Sequence, residues 1–129
     1  MRRFGLAVVV LALTLTGSAS ACSYSARLHA TTHHPKAGAK WPIRVTLSTK
    51  VRTSAYYAFL FKGRQVSKQE INPHSTKPGT KRFYFSGGGF RDPLIVWPRR
   101  AVGFPLTFRV VLHNKCGTKH LDYVVTVHQ

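Results

Sequence analysis

The side chains that could do chemistry here are few, and their spacing narrows what that chemistry could be. The 129 residues hold only three acids, Glu70, Asp92 and Asp122, against 20 Lys and Arg, with seven His and two Cys. A carboxylate pair for general acid–base work needs two acids that converge. The sequence gives each acid a separate setting: a polar strand for Glu70, a loop for Asp92 and a closing hairpin for Asp122. No nucleophile elbow is present. Gly87-Gly88-Gly89-Phe90 runs into Arg91-Asp92-Pro93 and not into a helix, so it lacks the context of a phosphate-cradling loop. The expectation is a protein without catalytic residues or cofactor. Histidine offers the other candidate chemistry, because neutral imidazole is a common metal ligand. His29, His33 and His34 cluster in one segment, and His113 and His120 face each other in the expected hairpin register. Neither set brings a carboxylate, and ordinary surface histidine is the competing reading.

The remaining chemistry is charge and sulfur. A net charge of +17 draws the chain towards polyanions or anionic surfaces. Arg99, Arg100, Arg109, Lys115 and Lys119 are the candidate anion contacts, on turns or outward strand positions. Met1-Arg2-Arg3, the apolar run from Phe4 to Leu15 and the small residues through Ala21 have the layout of a secretory signal peptide over residues 1–21. Cleavage after Ala19-Ser20-Ala21 would remove Arg2 and Arg3, and +17 less 2 leaves +15. Cys22 would then lead the mature chain, either disulfide-bonded to Cys116 or lipidated. The even cysteine count in an oxidising compartment favours the disulfide, since lipidation would strand Cys116 as a free thiol.

The elements that must position these groups are strands. Ile43, Val45 and Leu47 alternate with polar residues, and Tyr57, Phe59 and Phe61 share one face of a more apolar run. Tyr24 to His29 offers an edge strand, Gln65 to Glu70 reads as a polar edge strand, Arg82 to Ser86 as a strand with Phe83 and Phe85 on one face, and Leu94 to Trp97 as a short apolar run closed by Pro98. Leu106–His113 and Lys119–His128 form a hairpin. Pairing Leu112 with Leu121, Val110 with Tyr123 and Phe108 with Val125 aligns the apolar faces and sets Cys116-Gly117 at the turn centre. In that register Asp122 lies opposite Val111 and diagonal to Arg109, within reach of a cross-strand ion pair. With no helical periodicity, about seven short strands predict an all-β, antiparallel β-sandwich over residues 41–129, after a partly extended N-terminal segment, 22–40.

Trp41-Pro42-Ile43-Arg44-Val45, Tyr57-Ala58-Phe59-Leu60-Phe61-Lys62-Gly63, Trp97-Pro98, Arg100-Ala101-Val102-Gly103, Pro105 to Val111 and Leu121-Asp122-Tyr123 resemble small exported actinobacterial proteins with an immunoglobulin-like domain. The resemblance covers Lys36 to Val127. It implies an immunoglobulin-like sandwich and carries no assigned activity. The expected function is a non-enzymatic binding or structural module of the cell envelope, contacting a protein or an anionic polymer. An exported metal-binding or enzymatic factor using the histidines, and a small cationic membrane-active protein, are the alternatives. Nucleic acid is the weaker partner, because export removes the usual targets and no recognition motif is present.

Overall fold

The structure, a computed structural model, describes residues 22–129; the expected signal peptide lies outside them. Eight strands form two antiparallel sheets packed as a sandwich. They are β1 (Ala26–Ala30), β2 (Ile43–Leu47), β3 (Thr53–Phe61), β4 (Arg64–Glu70), β5 (Phe83–Phe85), β6 (Gly89–Asp92), β7 (Pro105–Asn114) and β8 (Gly117–Thr126). The smaller sheet runs β1-β2-β6 and the larger β4-β3-β7-β8, with β5 paired to the start of β3. This is the sandwich that the strand spacing predicts, with one more strand. The extra one is β6, because Gly89 ends the glycine run by entering the sheet opposite Thr46. Asp92 is therefore the last residue of a strand and not part of a loop. Leu94 to Trp97, the short apolar run, stays outside the strands and contributes an isolated bridge, Val96 to Lys40. The N-terminal segment joins the sandwich through β1.

Alternation does what period-two patterning requires. Ile43 and Val45 of β2, Ala55 and Tyr57 of β3, Phe108, Val110 and Leu112 of β7, and Val125 of β8 all point into one core. Trp41 and Trp97, 1% and 2% exposed, fill the space between the sheets. Their rings meet edge-on at 5.4 Å, and Trp41 meets Phe108 likewise at 5.2 Å. Burial of each such side chain contributes about 1.5–3 kcal/mol, which makes this aromatic layer the main anchor between the sheets. β3 is central and buried on both faces; its outer residues Ala58 and Leu60 pack with Val111 under Tyr56.

The closing hairpin keeps the expected faces but shifts its pairing by two residues. Val110 pairs with Leu121 and Phe108 with Tyr123, while Asn114 opposite Gly117 closes the turn. Lys115 and Cys116 are thus the turn residues, in place of Cys116 and Gly117. The cause is local. A primed turn demands positive φ at its centre, and neither Lys115 nor Cys116 adopts it; Gly117 does, at 118°. Asn114 starts the turn by accepting the Cys116 N–H on its side-chain oxygen at 2.8 Å, the Asn-first, Gly-last pattern of an ordinary turn.

Candidate binding surfaces

The corrected register disperses the histidine pair. His120 lies opposite Val111, and His113 opposite Thr118, whose hydroxyl sits 2.8 Å from His113 Nδ1. The N-terminal histidines also separate. His33 stacks on Tyr123 with ring centroids 4.0 Å apart, and its Nδ1–H donates to the Val124 carbonyl at 2.6 Å. His29 points out from β1, and His34 is exposed beyond it. Among the described residues no three His, Cys, Asp or Glu side chains come together as a metal-holding group.

The three acids are each engaged. Asp122 lies directly opposite Arg109, one step from the expected diagonal, and takes both guanidinium bonds at 2.7 and 3.0 Å. Those bonds hold its carboxyl below the usual range, against the opposing effect of burial. Glu70 pairs with Lys68 at 3.7 Å. Asp92, 3% exposed, accepts the Tyr57 hydroxyl at 2.6 Å on one oxygen and the Leu94 N–H at 3.1 Å on the other. Burial, then the Asp92 charge and hydrogen bond, push the Tyr57 phenol far above its ordinary value, so it stays a donor.

No acid remains to neutralise the outer face of the small sheet. Arg27 and His29 of β1, Arg44 of β2 and Arg91 of β6 all alternate outward. Register sets His29 beside Arg44, and Arg44 directly opposite Arg91, as one row across three strands. Next to that pair is a shallow depression of about 250 Å³, lined by both arginines, Thr46 and the Gly87–Gly89 run. A side chain at Gly89 is excluded, since a Cβ there would reach 2.1 Å from the Val45 carbonyl oxygen with φ at +151°. Sequence reading did not single out this row, because Arg44 and Arg91 lie 47 residues apart and only the fold brings them together.

The five expected anion contacts sit elsewhere and do not share one surface. Arg99 and Arg100 are exposed on a 3-10 helix, Arg99–Ala101, before β7. Lys115 is in the turn at the far end of β7, about 30 Å away at 3.4 Å per residue. Lys119 lies over the Tyr24 ring at 5.1 Å, and Arg109 is bound to Asp122.

A second concavity, a cleft of about 480 Å³, opens between β3–β4 and the segment from Leu94 to Leu106. Tyr57, Phe59, Trp97, Ala101 and Leu106 contribute to an apolar interior, and Lys77 and Arg100 line it from exposed positions. The Trp97 indole N–H is buried there without a hydrogen-bond partner. Cys22 and Cys116 form a disulfide with Cα atoms 5.1 Å apart, as expected, fixing the first described residue to the hairpin turn. Tyr24 reinforces this by donating its hydroxyl to the Gly117 carbonyl at 3.3 Å. No family model matches the chain, and none of the curated proteins compared with it matches either.

Proposed function

We propose that the chain is an exported, non-enzymatic binding module of the cell envelope that grips an anionic polymer through the outer face of its three-stranded sheet. The observation that supports this reading is Arg44 directly opposite Arg91, with His29 alongside and no carboxylate on the face. Like charges directly opposite one another destabilise a strand pair. A polyanion lying across the row relieves that repulsion, so the arrangement has a use in the complex that it lacks in isolation. The engagement of Asp92 and Asp122 within the fold supports a binding role over a catalytic one. The disulfide supports export, and it occupies the sulfur that a lipid anchor at Cys22 would need.

Titration with polyphosphate and polyglutamate tests the proposal. Affinity should fall steeply between low and physiological salt, as exposed charge contacts do. Replacing Arg44 and Arg91 together by Thr should weaken binding about tenfold or more while leaving thermal stability equal or slightly higher. Unchanged polymer affinity in that double variant, or no binding of either polymer at physiological salt, would overturn the assignment.

A further inference from the structure

The cleft between β3–β4 and the segment from Leu94 to Leu106 has a different character from the charged face. Among the described residues five large apolar side chains are conspicuously exposed, and three of them, Val66 (59%), Val96 (37%) and Phe104 (51%), line this one cleft. Its volume, about 480 Å³, falls in the range of small-molecule sites, and aromatic and aliphatic side chains such as Phe59, Trp97 and Leu106 form an apolar wall beside polar groups from Ser67 to Thr76. The charges that accompany it have one available sign. Lys77 and Arg100 are exposed at the opening, whereas the carboxylate that reaches the cleft, Asp92, already accepts two hydrogen bonds and is 3% exposed. Lys77 and Arg100 form neither of the two ion pairs present among the described residues.

An apolar wall with uncommitted cations on the same cleft fits an apolar body carrying one anionic head. We infer that the cleft binds a single long-chain alkyl carboxylate, its chain among Phe59, Trp97 and Leu106 and its carboxylate at Arg100 and Lys77. Arg100 suits this head because a guanidinium can hold both oxygens of a carboxylate. A ligand cation is disfavoured by the same two side chains. The cleft shares no lining residue with the depression beside Arg44 and Arg91.

Calorimetric titration of the intact protein with decanoate, dodecanoate and tetradecanoate, below their micelle concentrations, tests the inference. The expected result is saturation at one ligand per chain, with affinity rising about fourfold per added methylene until the cleft is full. Arg100→Ala and Lys77→Ala together should weaken dodecanoate about tenfold and leave dodecanol unchanged, whereas Phe104→Ser should weaken both. All three positions are exposed, so these variants retain the core. Binding indifferent to chain length, or equal loss of dodecanoate and dodecanol in the charge variant, would overturn it. So would binding to anionic vesicles with none to the monomeric carboxylates, which would make the apolar rim a membrane contact. Dodecyl phosphate binding ten times more tightly than dodecanoate would overturn the choice of head group.

Discussion

The Tyr57–Asp92 hydrogen bond joins the two sheets at a point where neither partner meets much water. Tyr57 sits on the inner face of β3, and Asp92 ends β6 in the opposite sheet. Tyr57→Phe removes the donor and leaves a buried carboxylate oxygen with less than it needs, which should cost about 1–3 kcal/mol in denaturant unfolding at neutral pH. The pH dependence has a definite sign. Below pH about 10 the folded and unfolded chains both keep the phenolic proton. Above it the unfolded chain releases the proton while the folded one, with Tyr57 held well above that value, does not. Stability should therefore fall as pH rises past about 10, and the fall should be shallower in Tyr57→Phe. Unfolding midpoints from pH 8 to 11 for both proteins check this; parallel curves would show that Tyr57 does not carry the linkage. Asp92 also shows why residue roles were hard to see in the sequence. Beside Pro93 it reads as a loop acid, and its actual partner lies 35 residues away across the sandwich.

At the level of elements, faces were readable and exact pairings were not. The alternation in β7 and β8 identifies Phe108, Val110, Leu112 and Val125 as inward, and all four are fully buried. Parity survives a two-residue slide, so hydrophobic pattern alone could not choose between registers that differ by two. The choice lay with Asn114 and Gly117, through an Asx turn and a positive φ. The glycine run is similar. Its composition suggests slack, but Gly89 is a strand residue packed against the β2 backbone. Gly89→Ala drives a Cβ into the Val45 carbonyl and should cost about 1–3 kcal/mol, with exchange protection lost first at the β2–β6 pairing. An alanine variant with native stability would mean that β6 can shift away at no cost, and the depression beside Arg91 would then have no fixed shape. Neither concavity had a sequence signature, since each is assembled from segments tens of residues apart.

Across the whole molecule, the N-terminal segment is what closes the sandwich. Its carbonyls at His33 and Pro35 accept the N–H groups of Thr126 and His128, so the C-terminal end of β8 has its free edge covered, while β4 remains an edge bearing Arg64 and Lys68. Such charges on an edge discourage a further strand from adding to it. The disulfide spans 94 residues and ties this segment to the β7–β8 turn. A loop that long stabilises by about 2–5 kcal/mol through the unfolded chain. Reduction, or Cys22→Ser with Cys116→Ser, should lower the urea midpoint accordingly with an otherwise intact fold. An unchanged midpoint would show that the N-terminal segment holds its place against β8 without it. The long span also sets an order of events. The β7–β8 hairpin is a local structure, whereas β1 and Cys22 reach their partners only across nearly the whole chain, and such distant pairings form slowly. During synthesis Cys22 therefore leaves the ribosome long before Cys116 exists, and spends that interval as an open thiol. Its correct oxidation has to wait for the final hairpin, which makes the closing strands the timekeeper of maturation and any earlier pairing of Cys22 a bond to another molecule.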